Sequence, residues 1–305
     1  MKHTIAIIGA GAVGSATAYA LAMRDIAAAI LLIDADEEKE SGEVMDIGDA
    51  LSHTETSSIR GADFSDAKDA DIIIVTAGAA QKPGETRLDL VKKNTAIMKE
   101  IFGAIGQMRD DAIVIMITNP VDIMTQLVQE LTGLPHSQVF GSGTTLDTAR
   151  LKHALGETLG VSPQNIHGYV LGEHGDSEFV AWSTVEVGGI PIRKIKSMTK
   201  DRLSEIEEQV RGSAYEIIHR KGMTNYGIGA TVVNIVEAIT HDQHLILPVS
   251  TRLTGWNGIS GVCLGAPAVI GEGGVERLWP LVLPWAEKKK LRRSAGVVRK
   301  YLTHA

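Results

Sequence analysis

The 305-residue sequence has a single cysteine, no excess of basic residues and no long apolar run. One cysteine excludes a disulfide framework and a multi-thiolate zinc site, and is typical of proteins kept in a reducing compartment. A formal net charge of −7 argues against nucleic acid as a partner, because that partner selects clustered basic residues. No apolar run approaches the roughly 18–20 residues that span a bilayer. The N-terminus also leads directly into a strand-like segment rather than a signal peptide, so we expect a cytoplasmic protein without membrane association.

The first half of the sequence alternates short apolar runs with helix-like stretches. Four clear candidate strands, and a weaker fifth one, are TIAIIGA, AILLIDA, DIIIVTA, AIVIMIT and QVFGSG. Their Ile, Leu and Val residues are almost continuous, which is typical of parallel strands covered on both faces. This order predicts an α/β fold with a doubly wound parallel sheet, that is, a Rossmann fold.

From about residue 142 the pattern changes to that of an α+β domain. A helix-like TLDTARLKHALGETLG is followed by short β-like pieces, by two helical stretches at about 199–219 and 226–241, by a Gly-rich β region at 245–271 and by a helix from about 284. We predict that the basic run EKKKLRR is the solvated face of this last helix, with Trp285, Leu291, Val298 and Leu302 on the other side. The predicted division is a Rossmann domain over residues 1–141 and a substrate domain over 142–305, packed tightly together.

A GxGxxG motif follows the first strand at the mouth of a helix. It consists of Gly9, Gly11 and Gly14, with Val13 between the last two, and Asp34 follows twenty residues later at the end of the second strand. Glycines let the backbone approach a pyrophosphate at a helix N-terminus, and an acid at that distance accepts hydrogen bonds from an adenosine ribose. Because a carboxylate repels a 2′-phosphate, the motif predicts NAD rather than NADP, bound by residues 1–141.

Five segments, GAGAVG, AGAAQKPGETRLDLV, ITNPVD, GSGTTLDTAR and GEHGDSEF, together resemble the L-lactate/malate dehydrogenase superfamily. The resemblance extends essentially from end to end and is strongest toward bacterial L-lactate dehydrogenases. It implies an NAD-dependent oxidoreductase acting on L-2-hydroxy acids. It also implies that Gly78, Ala79 and Asn119 contact the cofactor.

Reduction of a 2-oxo acid needs a proton donor that titrates near neutrality, and histidine is the side chain that does so. The candidate is His174 in GEHGD. By resemblance, Asp147 holds the other imidazole nitrogen and stabilises the imidazolium. Arg150, one helical turn after Asp147, would bind the substrate carboxylate with two parallel hydrogen bonds. Asn119 and Thr224 fall where the family lines the substrate pocket.

The segment 77–90 is predicted to be a loop that closes over substrate and brings Arg87 to the carbonyl oxygen. Malate dehydrogenases place an arginine where this sequence has Gln81. Burying a dicarboxylate beside a neutral amide would cost roughly 3–5 kcal/mol, which corresponds to a discrimination of order 10²–10³. Gln81, and Glu173 before the candidate histidine, therefore favour pyruvate, although Lys82 is a possible cation for a second carboxylate.

Lys152 and His167 occupy two positions where bacterial relatives bind fructose 1,6-bisphosphate across a subunit interface. The usual first residue is arginine, so the sequence leaves open whether the bisphosphate activates this protein or whether the pair is a solvated lysine and a packed interface histidine. We expect a homotetramer, with residues 46–54 in a subunit contact. His241 and His244 lack a convincing third ligand in the sequence, and no metal is expected.

Three other functions remain open at this stage. A dehydrogenase for a bulkier L-2-hydroxy acid differs only in pocket volume, and a malate dehydrogenase would need another cation to meet the second carboxylate. A catalytically inactive NAD-binding or structural protein would be free to lose His174, Asp147, Arg150 or Arg87, and all four are present. Turnover with pyruvate distinguishes these alternatives.

Overall fold

The computed structural model describes residues 3–54, 58–79 and 86–303. Among these residues, no helix combines the length and apolarity needed to cross a bilayer. The helices are α1 (Ala12–Met23), α2 (Glu37–Ala50), α3 (Arg87–Ile105), α4 (Val121–Thr132), α5 (Thr145–Leu159), α6 (Lys200–Lys221), α7 (Tyr226–Thr240) and α8 (Trp285–Leu302). The strands are β1 (His3–Ile8), β2 (Ala27–Ile33), β3 (Ser58–Gly61), β4 (Ile72–Val75), β5 (Ile113–Met116), β6 (Val139–Gly141), β7 (Ile166–His167), β8 (Val170–Leu171), β9 (Phe179–Val180), β10 (Glu186–Val187), β11 (Ile190–Pro191), β12 (Leu245–Trp256), β13 (Ile259–Gly271) and β14 (Gly274–Leu278).

The central sheet has nine strands in the order β14-β13-β12-β6-β5-β4-β1-β2-β3. From β3 to β6 the neighbouring strands are parallel, and β1 lies between β2 and β4. This is the predicted doubly wound α/β sheet. Because the strand order reverses beside β1, the carboxyl ends of β1 and β4 open onto a crevice, where such folds bind ligands.

The strands of the C-terminal half extend the same sheet. β12 joins β6 through the pair Ser250–Gly141 and forms a long antiparallel hairpin with β13. The sheet therefore continues across the predicted boundary at residue 141, and the expected Gly-rich β region is its antiparallel extension. Two small sheets, β7/β10/β11 and β8/β9, lie outside it.

Helices cover the central sheet on both sides. On α3 four apolar residues at helical spacing are buried, namely Met98, Ile101, Phe102 and Ile105. On α8, Leu291 and Val298 are buried, but the prediction was wrong for Trp285, which is 72% exposed. Trp285 is the first residue of its helix and its ring packs under the Lys289 ammonium, 5.7 Å from the centroid, instead of joining the core.

Candidate active site

The glycine motif forms the turn between β1 and α1. Gly9 has a φ of +108°, and a Cβ there would lie 2.7 Å from the Ala77 amide nitrogen, so a side chain is excluded. A Cβ at Gly14 would overlap the Gly9 carbonyl oxygen. Gly11 caps α1 without a side-chain hydrogen bond, with Val13 in the first turn. The turn is thus compact, and the first amides of α1 have no side-chain cap, which suits a pyrophosphate.

Asp34 follows β2 directly beside this turn. Its Oδ2 accepts a hydrogen bond from the Ala10 amide at 2.6 Å, and its Oδ1 accepts one from the Asp36 amide at 3.0 Å. Together with Gly9, Phe64 and Ile97 it lines a cavity of about 400 Å³ at the carboxyl ends of the strands. A carboxylate at the edge of a largely apolar cavity matches the ribose and adenine of NAD, so these residues fit the cofactor that the motif predicts.

The chain segments after β4 and β5 are tied together by Asn94 of α3, which is fully buried. Its Oδ1 accepts a hydrogen bond from the Ala79 amide at 2.8 Å, and its Nδ2 donates to the Asn119 carbonyl at 2.6 Å. A Cβ at Gly78 would overlap the Thr118 side chain. The predicted cofactor residues Gly78, Ala79 and Asn119 therefore lie on two adjoining segments, and the Asn119–Pro120 peptide bond is cis. Sequence reasoning missed Asn94, which has no motif of its own.

His174, Asp147 and Arg150 meet although 27 residues of chain separate the first two. The His174 Nδ1 lies 2.7 Å from Asp147 Oδ2, and Arg150 donates to Asp147 Oδ1 at 2.8 Å. Asp147 stands in the first turn of α5, so Arg150 follows it on the same helix face. Burial lowers the pKa of His174, but the charge and hydrogen bond of Asp147 outweigh it and raise that pKa to about 9. The imidazole is therefore protonated at neutral pH and can donate a proton.

The backbone of His174 is held by a second buried acid, Asp122 of α4. The His174 amide donates to Asp122 Oδ2 at 2.9 Å, and the Ser250 hydroxyl donates to Oδ1 at 2.6 Å. Burial raises the pKa of Asp122 to about 6, with these hydrogen bonds opposing the shift. Asp122 thus links α4, β12 and the histidine segment. It lies in the quoted ITNPVD, but nothing in that segment alone indicates its partner.

Arg87 is the first residue of α3, and the capping box formed by Thr86 and Asp89 fixes where the helix begins. The prediction that residues 77–90 form a loop is therefore wrong from Arg87 onward. The Arg87 guanidinium forms an ion pair with the buried carboxylate of Glu173 and lies 5.5 Å from the Tyr301 ring centroid. These contacts bring it next to the His174 segment. Gln81 and Lys82 lie outside the described residues.

Glu178 is a further acid of the site that sequence reasoning missed. It is 5% exposed, and its carboxylate lies within 4.8 Å of the ligating atoms of both Asp147 and His174. Burial, followed by the charge of Asp147, raises the pKa of Glu178 to about 9. The feature of the sequence that could have identified Glu178 is its position four residues after His174, directly before two apolar residues.

Comparison with known proteins places this geometry in a family. The family model described as the lactate/malate dehydrogenase NAD binding domain matches residues 3–141, and the one described as the lactate/malate dehydrogenase alpha/beta C-terminal domain matches residues 144–305. The chain belongs to the lactate/malate dehydrogenase family.

Individual relatives extend along the whole chain. An L-lactate dehydrogenase of Thermoanaerobacter sp. (strain X514) is 45% identical over 302 residues, covering 97% of each chain. An L-lactate dehydrogenase of Lacticaseibacillus casei is 41% identical, covering 99% of this chain and 94% of the relative. Among solved structures, the ligands-bound minor L-lactate dehydrogenase from Enterococcus mundtii superposes with a TM-score of 0.95 at 38% identity, covering 99% of this chain and 98% of that one.

Three residues that the family resemblance implied lie outside the His174 cluster. Thr224 is in the segment between α6 and α7 and is partly exposed. Lys152 is half-buried on α5, and burial lowers its pKa. His167 is exposed on β7. The role of Thr224 in the substrate pocket stays a prediction, as does the role of Lys152 and His167 as a phosphate-binding pair.

Proposed function

We propose that the protein is an NAD-dependent L-lactate dehydrogenase that interconverts pyruvate and L-lactate. The observation that carries the proposal is the buried Asp147 carboxylate, which holds His174 on one oxygen and Arg150 on the other. The carboxylate-binding cation, Arg150, is thereby fixed on α5, and the proton donor, His174, is held against that helix by Asp147. The relatives named L-lactate dehydrogenase support the choice of substrate.

When bound, NADH supplies the hydride that reaches C2 of pyruvate. His174 then gives its Nε2 proton to the substrate oxygen, because Asp147 occupies Nδ1 and leaves the other nitrogen to face the substrate. Asp147 stabilises the imidazolium before transfer. In the reverse direction, neutral His174 accepts the lactate hydroxyl proton.

Two arginines orient the substrate in this proposal. Arg150 uses an NH1 donor for Asp147, and a guanidinium carries five N–H donors, so others can form the paired bonds to the substrate carboxylate. Arg87 stabilises the negative charge that develops on the substrate oxygen. Asn119 and Thr224 complete the substrate pocket, and Gln81 disfavours a second carboxylate.

We also propose a cytoplasmic homotetramer that binds fructose 1,6-bisphosphate through Lys152 and His167. The buried free thiol of Cys263 fits a reducing compartment. Burial lowers the pKa of Lys152, and a phosphate partner would stabilise the charged ammonium that burial disfavours. The exposed His167 is accessible to the same phosphate group. Sedimentation with and without the bisphosphate tests both the assembly and the ligand.

The deciding experiment is NADH oxidation with pyruvate, oxaloacetate and 4-methyl-2-oxopentanoate in parallel, with and without fructose 1,6-bisphosphate. We expect pyruvate to exceed oxaloacetate in kcat/KM by about a hundredfold or more, from the cost of burying an unpaired carboxylate. A preference for oxaloacetate would contradict the role of Gln81. A preference for the branched substrate would assign the enzyme to a bulkier L-2-hydroxy acid, and turnover of none would indicate an inactive NAD-binding protein.

A further inference from the structure

We infer that Glu178 is a positioning residue: it is held as a neutral carboxylic acid and donates a hydrogen bond to Asp147, thereby fixing the carboxylate that orients His174. The inference deepens the proposed function and rests on it for the role of His174. Three ionisable groups within 4.8 Å of one another carry it, together with the near-complete burial of Asp147 and Glu178, at 2% and 5% exposure.

Two carboxylates at this separation in a buried site cannot both be ionised without strong repulsion, so one of them holds a proton. Asp147 has two cationic partners, since it contacts both His174 and Arg150. The Glu178 carboxylate instead lies beside that of Asp147, with their oxygens within 4.8 Å of each other. The cations stabilise the charge on Asp147, and the shared proton therefore resides on Glu178.

The groups that surround Glu178 agree with this assignment. Arg211 of α6 donates to the Glu178 main-chain carbonyl at 3.3 Å, while its side-chain partner is Glu207. Burial raises the pKa of Glu178 to about 9, in the same direction as the assignment. The titratable or charged groups that face the cluster, by element, are Arg87 of α3, Asp122 of α4, Asp147 and Arg150 of α5, Glu173, His174 and Asp176 before β9, and Arg211 and Tyr215 of α6.

The protonation state can be tested without turnover by infrared spectroscopy of the whole protein at pH 8, where Asp122 is ionised. We expect the wild-type protein to show a protonated-carboxyl band that Glu178→Gln loses. The matched control is Glu287→Gln, because Glu287 is a buried acid that accepts hydrogen bonds from the Ser183 amide and hydroxyl. Glu287→Gln should keep the band. A wild-type spectrum that Glu178→Gln leaves unchanged overturns the inference.

The positioning role is tested by pyruvate kinetics across pH. Glu178→Met, which keeps the volume but removes the donor, should lower kcat roughly tenfold to a hundredfold with little change in KM, as for a lost hydrogen bond to a charged group. Glu178→Gln should restore most of that loss, because its amide N–H can donate to Asp147. Equal loss in both variants, or a fall of a full unit in the His174 pKa of Glu178→Gln, overturns the inference. If the wild-type protein does not reduce pyruvate, the proposed function fails while the infrared result still decides the protonation of Glu178.

Discussion

Replacing Asp147 by Asn tests the central interaction of the proposed site. The imidazole of His174 has a pKa of about 9, against 6.5 for an unperturbed histidine, and Asp147 is the main cause of the rise. A difference of about 2.5 units corresponds to about 3 kcal/mol of preferential binding of the imidazolium. Asn cannot supply this charge and has one oxygen for two donors, so burial then dominates and lowers the pKa. We expect a pKa near or below 6.5, which leaves at most about a quarter of the imidazoles protonated at pH 7 and therefore lowers kcat/KM for pyruvate about fourfold or more.

The assay is kcat/KM for pyruvate measured from pH 5.5 to 10, together with NMR titration of the His174 ring, assigned with His174→Gln. The wild-type enzyme should lose pyruvate reduction only above about pH 9, whereas Asp147→Asn should lose it about two units lower. Glu157→Gln is the control, because it removes an exposed acid from the same helix. The reasoning is refuted if Asp147→Asn keeps its rate within threefold and the same alkaline limb.

Three further predictions concern stability, substrate and cofactor. Because the folded-state pKa of His174 is raised, its contribution to stability is complete below about pH 6.5 and is lost as the pH rises through about 9. The free energy of urea unfolding of the wild-type protein, relative to that of His174→Gln, should therefore fall by about 3 kcal/mol across this window. A difference that does not change with pH contradicts this. Gln81→Arg should raise kcat/KM for oxaloacetate and lower it for pyruvate, changing the ratio of the two by about a hundredfold or more. An unchanged ratio would mean that Gln81 does not take part in substrate selection. Asp34→Asn keeps an acceptor for the Ala10 amide but removes the charge, and should reduce the preference for NADH over NADPH about tenfold or more; equal ratios in both proteins would mean that another group excludes the 2′-phosphate.

The parallel part of the sheet could be predicted because a strand that is buried on both faces has a continuous run of apolar residues in its sequence. In β4 all four residues are Ile or Val and all are buried. β3 lacks this signature, since its exposed and half-buried residues alternate at the sheet edge, and the sequence analysis missed it. The junction of β6 with β12 depends on the single pair Ser250–Gly141, separated by more than a hundred residues. No local pattern encodes such a pairing.

The candidate site divides along similar lines. His174, Asp147 and Arg150 were predicted because their chemistry requires those residue types and the family motifs fix their spacing. Asp122 and Glu178 were missed because an acidic side chain in a sequence gives no sign of whether it will be buried. Their roles come from the fold, which places α4 and the segment after His174 against the same histidine.

Burial of so many acids around one histidine raises the question of how their charge is balanced. Among the described residues of the cluster, the carboxyl groups are those of Asp122, Asp147, Glu173 and Glu178, and the cations are His174, Arg87 and Arg150. The charge of neighbouring Arg211 is balanced separately by its ion pair with Glu207. With a proton on Glu178, three anions face three cations and the site is neutral before substrate enters. Ionised Glu178 would add an unpaired anion in a buried site and oppose the carboxylate of a 2-oxo acid.

Glu173 restricts where Arg87 can move, since this buried acid is paired with Arg87. Any movement of Arg87 toward the substrate oxygen must preserve that contact or leave a buried charge without its partner, so the first turn of α3 is restrained close to the His174 segment.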